Sequence, residues 1–272
     1  ILVGSLVIPG LLKSEPQAAT SPAVNSPVPE VPKDAVAIEL SSSNTKEDWM
    51  NAVVAQFNQE QHTLDSGKTI FVTVKHVTSG GSQKAILDGK STPVVWSPGD
   101  QSWIDEANRV WRDRNNKLLI PESCKPSILA PIGFAMWRPM AEALGWPDKP
   151  ISWDDIAALS ANPAGWESVG HPEWGQFKFG HTHPDYSNAG LLSLTALAYS
   201  SVGKTEGLTA SEVYSDPVVE AFRGVEQNTY HYGVQSRPLM QVLAQRGPEY
   251  LHAVSTSEAE TLKTNAEYGA TM

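Results

Sequence analysis

The chain has almost no cysteine. Cys124 stands alone among 272 residues, so no intrachain disulfide is possible. Its segment, PESCKP, offers no helix N-terminus or neighbouring base to activate a thiolate, and Cys124 reads as a structural thiol. Positive charge is also short: 20 Lys+Arg against 30 Asp+Glu give a formal net charge of -10. With no surplus of cations and no basic run to displace phosphate counterions, nucleic acid is excluded as a partner. No apolar run reaches the roughly 20 residues that span a bilayer. Hydrolytic signatures are missing too: there is no GxSxG, no HExxH and no Ser/His/Asp arrangement in usable context. No enzyme activity and no cofactor are expected.

What is present describes a globular body behind an extended leader. Residues 1–12 (ILVGSLVIPGLL) are apolar and uncharged, and are expected to be the end of a longer hydrophobic signal or anchor segment. Residues 13–35 carry Pro16, Pro22, Pro27, Pro29 and Pro32 among small residues, the composition of a semi-rigid linker. An apolar segment, a Pro-rich spacer and a globular body together imply an extracytoplasmic protein, in the periplasm or at the cell surface, tethered to the cytoplasmic membrane.

The body opens with a pattern that repeats in kind. Val36–Leu40 reads as a strand running into Ser41–Asn44; a helix follows, with Trp49, Val53 and Phe57 on one face and Asn44 or Thr45 as its cap. Phe71–Val77 reads as a strand, Ser79-Gly80-Gly81-Ser82 as a turn, and Ser82 as the cap of a short helix ended by Gly89. Pro93–Trp96 is a third strand, followed by Ser97–Asp100 and a helix through Trp103, Ala107 and Trp111. Three βα units in succession imply a parallel sheet, with all three polar loops at its carboxyl end, where open α/β folds bind ligands.

From Ser127 the chain reads as a strand with Pro131 and Gly133, helices near 137–144 and 152–160, and an irregular stretch over 162–176. A strand over Gln176–His181 leads to His183–Gly190 and a helix that Ser187 is placed to cap. Helices begin at Asp216-Pro217 and at Ser236; a strand over Tyr250–Ser255 and a helix from Glu258 to Tyr268 close the chain. In HTHPD, His181 and His183 fall two apart on extended backbone, but no third ligand accompanies them, so a polar strand end is preferred to a metal site.

The stretches SSSNTKEDW, TSGGSQKAILDG, VVWSPGDQSW and GHTHPDYSNAG resemble a bacterial extracytoplasmic solute-binding protein of the type II periplasmic-binding fold. They are similar, more closely, to the substrate-binding region of proteins that also carry a C-terminal von Willebrand factor A domain. The resemblance runs from about Val36 to the last residue. It implies a two-lobed α/β fold truncated at the C-terminus, with lobe one at 36–130 plus 233–272 and lobe two at 131–232. A small polar solute or oxyanion would bind between the lobes, for transport with a membrane permease or for sensing. By motif position the ligand residues are Ser42 and Ser43; Ser79, Gly80, Gly81 and Ser82; Ser97 and Asp100; and Ser187 and Asn188, with Glu258 near the return segment. Hydroxyls and amides suit a dehydrated oxyanion. Asp100, Glu258 and the net charge favour a cation, a sugar or an amino-containing solute, and Trp96 and Trp103 can either stack on a sugar or simply pack. The alternative is a membrane-anchored scaffold, adhesion or complex subunit that uses the same fold for protein–protein contact.

Overall fold

Val36–Ser43 (β1) is flanked by two parallel neighbours, Ile70–Val77 (β2) and Val95–Ser97 (β3), in the order β2-β1-β3. The computed structural model describes residues 30–120, 124–270 and 272, and Val31–Met272 form one compact unit. The apolar segment 1–12 and most of the linker 13–35 lie outside the described residues. Ser43 lies opposite Val77, and Ser42 opposite Ser97, so the three strand ends are aligned and the expected parallel sheet is present.

Three helices follow these strands: Glu47–Gln59 (α1), Ser79–Leu87 (α2) and Gln101–Asn115 (α3). Their starts differ from the expected caps. The turn after β1 is a 3-10 helix over Asn44–Lys46 with Ser43 as its N-cap, and α1 has no side-chain cap. The buried face of α1 is rotated: Met50 is buried with Val54 and Phe57 beside it, while Val53 is exposed. Thr78, not Ser82, caps α2, its Oγ1 accepting the Gly81 N–H at 3.3 Å. Gly80 and Gly81 are therefore inside the first helical turn. In α3, Asp100 is the N-cap and the Asn108 amide accepts the N–H groups of Leu119 and Ile120, pinning the chain as it leaves this lobe.

The second sheet contains Ile132–Met136 (β4), Phe179–Thr182 (β5), Thr229–Gly233 (β6) and Ala253–Ser257 (β7), in the order β4-β7-β5-β6. Only β4 runs antiparallel to its neighbour. Its helices are Arg138–Ala143 (α4), Trp153–Ala161 (α5), Asn188–Ser201 (α6), Ala210–Val213 (α7), Asp216–Glu226 (α8), Ser236–Arg246 (α9) and Glu258–Tyr268 (α10). One core joins Ile156, Trp166, Phe179, Leu197 and Val225; the other joins Ala135, Leu239, Met240, Leu243, Leu251 and Val254. Both helices begin where their sequence places them, with the cap residue one position earlier. Ser215 and Gln235 precede α8 and α9, and Ser236 is buried inside its helix.

This sheet changes the expected lobe boundary. All five residues of β7 are buried, and a buried strand needs backbone partners on both sides. It finds them in β4 and β5, while α9 packs on β5 and β6. Residues 233–257 thus belong with the second sheet rather than with 36–130. From this part of the chain α10 reaches back toward lobe one, where Lys263 pairs with Asp48 at 2.6 Å. The chain enters the second sheet at Ile132 and leaves it at Ser257, directly opposite.

His252, just before β7, is sealed at 2% exposure. Its Nδ1 accepts the Trp166 indole N–H at 2.9 Å and the Lys178 backbone N–H at 3.0 Å. Burial, with a smaller contribution from the Lys178 charge, pushes its pKa down to about 4. The ring is therefore neutral in the fold, whereas the unfolded ring takes up a proton below its ordinary 6.5. Stability from this group is complete above pH 6.5 and is lost as pH falls toward 4, up to roughly 3 kcal/mol. Urea unfolding at pH 7.5 and 4.5 should show the native chain losing roughly 2–3 kcal/mol more than His252→Asn. Equal losses would remove the assignment.

Candidate functional site

The aligned ends of β1, β2 and β3 deliver three polar segments to one edge, and the segment Thr182–Gly190 of the second lobe meets them there. Contact is backbone-close. The Gly80 N–H donates to the Tyr186 carbonyl at 3.1 Å, and a Cβ on Gly80 would lie 1.9 Å from the Asp185 carbonyl oxygen. A Cβ on Gly99 would lie 2.4 Å from Asn188 Cγ. The Trp103 indole N–H crosses the seam to Asn188 Oδ1 at 2.9 Å, and both groups are buried. Trp103 is therefore a packed, hydrogen-bonded bridge. Trp96 donates its indole N–H to Ser82 Oγ at 3.0 Å and also lines a cavity beside the seam.

The hydroxyls in and beside the seam find partners inside the protein. Ser79 Oγ accepts the Gly99 N–H at 3.0 Å, and Ser82 Oγ donates to the Ser79 carbonyl at 2.9 Å. Ser42 Oγ donates to the Ser43 carbonyl at 3.3 Å, and Ser43 Oγ lies 2.9 Å from Thr45 Oγ1. Ser187 is the N-cap residue of α6, but it makes no capping bond; its Oγ accepts from Thr182 Oγ1 at 2.8 Å. These serines and the Thr182 hydroxyl are all buried.

The cavity beside the seam measures 670 Å³. Lobe one contributes Thr45, Lys46, Trp96 and the loop Ser97–Gln101; the crossing segment contributes 124–130; α6 contributes Asn188 and Leu192. Of the residues expected to hold ligand, Ser97, Asp100 and Asn188 line this cavity. Ser42, Ser43, Ser79, Gly80, Gly81, Ser82 and Ser187 do not. Glu258 is elsewhere: it lines a more apolar cavity of 820 Å³ with Phe134, Met136, Trp146 and Trp153. Its place at the start of α10, after β7, carries it away from the three loops.

Electrostatically the 670 Å³ cavity is not acidic. Asp100 is the one carboxylate among its described lining residues, and its Oδ1 accepts the Ser102 N–H at 2.9 Å. Lys46 Nζ donates to the Pro98 carbonyl at 2.8 Å, and burial alone pushes its pKa down to about 8. Sequence patterns did not single out Lys46, because nothing in NTKED marks it as desolvated.

His181 and His183 diverge. His181 is buried, with Nδ1 3.0 Å from the Thr182 carbonyl oxygen and Nε2 3.0 Å from Glu226 Oε1. Burial pushes the Glu226 carboxyl up, but His181 and Tyr232 outweigh it and hold that carboxyl below its ordinary value. His183 is half-buried and faces Asp185 at 3.9 Å. Among the described residues no cluster of three His, Cys, Asp or Glu side chains is arranged for a metal ion.

Residues 38–269 match the model of a family described as bacterial extracellular solute-binding protein. Among solved structures, the sulfate-binding protein SubI from Mycobacterium tuberculosis H37Rv is similar at a TM-score of 0.53 and 15% identity, covering 87% of this chain and 70% of that one. A periplasmic thiamin binding protein follows at 0.49 and 13%, covering 85% and 64%. The Azotobacter vinelandii periplasmic molybdate-binding protein gives 0.46 and 10%, covering 82% and 72%. The first of these likenesses shows the two-lobed α/β fold. No curated protein sequence matches the chain.

The seam tolerates no side chain at residue 80. Gly80→Ala should hold the lobes apart, raising the radius of gyration in small-angle scattering while leaving the far-ultraviolet circular dichroism unchanged. A variant as compact as the native chain would show that the contact does not limit closure.

Proposed function

The chain belongs to the family of bacterial extracellular solute-binding proteins, and we propose that it holds its solute in the 670 Å³ cavity between the two lobes. It is an extracytoplasmic binding protein. The observation that carries the site is convergence: two lobes and the crossing segment all contribute walls to one cavity, with Ser97, Asp100 and Asn188 among them. A cavity of that size lies within the ~300–1,000 Å³ typical of small-molecule sites. Solute would stabilise the closed arrangement in which Gly80 meets Tyr186 and Trp103 meets Asn188, because only that arrangement contacts it from both sides.

The same reading extends to the surroundings of the protein. Residues 1–12 would tether it to the cytoplasmic membrane, the Pro-rich stretch would space the lobes from that membrane, and a permease would receive the solute. Kinship with chains that end in a von Willebrand factor A domain rests on the four loop motifs alone. Among the described residues no helix is long and apolar enough to cross a membrane.

A second reading, a scaffold or complex subunit, is favoured by one observation. The 820 Å³ groove of lobe two is lined mainly by Ile132, Phe134, Met136, Trp146, Ile151 and Trp153. An apolar surface of this kind is the form that protein contact takes.

A thermal-shift panel of oxyanions, metals, sugars and amino acids separates the two. Solute at about 100 times its Kd should raise Tm by roughly 5–10 °C, and Asn188→Ala should abolish the rise. No response to any class would sink the solute-binding site.

A further inference from the structure

The 670 Å³ cavity has a chemical bias of its own, and the ligand class assigned to it rests on the cavity being the solute site. Two ammonium groups, those of Lys46 and Lys125, stand in its wall against the single carboxylate of Asp100. That carboxylate is already engaged at the start of α3. Lys46 is half-buried, and among the described residues its one partner is the neutral Pro98 carbonyl; an ammonium carries three donors. A cation withdrawn from water without a counter-charge is costly, and the position is stabilised when an anion arrives.

The remaining wall has polar groups on Thr45, Ser97, Gln101, Ser127 and Asn188 and, beside them, an apolar part. Ile104 and Leu192 face the cavity from α3 and α6, and Ile128 and Leu129 face it from the crossing segment, where Leu129 is 87% exposed. A five-atom inorganic oxyanion would touch the cations and leave this wall wet. A cavity within the ~300–1,000 Å³ range of organic-ligand sites accommodates more.

We propose that this cavity takes an organic anion, with a carboxylate or phosphate head paired to Lys46 and an apolar body against Ile104, Ile128 and Leu192. Lys125 adds a second, exposed charge at the same wall. The seam hydroxyls, which already have partners inside the protein, position the loops and leave charge neutralisation to the lysines.

Titration calorimetry on the full chain tests this with defined probes: phenylacetate and phenyl phosphate as organic anions, phenethylamine as the cationic counterpart, sulfate and molybdate as inorganic anions, and maltose as a neutral solute. At least one organic anion should bind, at least about tenfold tighter than phenethylamine and than sulfate or molybdate. Lys46→Met should weaken it by at least about tenfold, and Lys46→Arg, which keeps the charge, should retain it. Among the described residues the other titratable groups lining the cavity are Asp100, Cys124 and Lys125. Affinity in the native chain should fall as pH rises through about 8, where Lys46 loses its proton, and this fall should vanish in Lys46→Met.

Binding of sulfate, molybdate, maltose or phenethylamine in preference to the organic anions overturns the inference and leaves the interlobe site standing. The same holds if organic anions bind equally well to Lys46→Met. If no probe binds, and Asn188→Ala changes no response to any solute class, both this inference and the interlobe reading fail.

Discussion

The parallel pairing of β1 with β2 and β3 is the constraint on which the rest depends. Parallel strands aligned at Ser43, Val77 and Ser97 must send every following segment out of the same edge. A slip of one residue would exchange the faces of the sheet and misplace all three loops together. From that edge the start of α2 and the Ser97–Asp100 loop meet the second lobe, and the 3-10 turn before α1 lines the cavity beside them.

Closeness at the seam has its own condition, the absence of side chains at Gly80 and Gly99. Backbone meets backbone there, and polar groups in the interface are satisfied inside the protein: Ser79 by Gly99, Ser82 by Trp96, Ser187 by Thr182 and Asn188 by Trp103. A buried hydroxyl that lacks a partner costs about 1–3 kcal/mol, so hydroxyls brought together in a closed seam take backbone, indole or hydroxyl partners within it. Asn188 and Trp96 serve both the seam and the cavity, and Lys46 is the half-buried cation of that cavity.

Local signals served well where a period or a breaker governed the answer. The strands β1 and β2 and the helices α3 and α10 all follow from patterns within one segment. Caps were less legible. Ser79-Gly80-Gly81-Ser82 reads as a turn because glycine disfavours helix, yet Thr78 takes the cap and the glycines fill the first turn. There Gly80 suits a close approach to Asp185 that no local rule encodes. β6 escaped because Thr229–Gly233 is short and its partner, β5, lies far away in sequence.

By itself the sequence determined the class of the fold, the succession of βα units, the acidic balance that excludes nucleic acid, and the loops that would converge. Those properties depend on residue type and on spacing over one or two turns. Tertiary structure alone decided which lobe receives β7, why Glu258 faces a different cavity, and which side chains the closed seam consumes. It also made Lys46 the desolvated cation of the cavity, since burial is set by atoms supplied from distant parts of the chain.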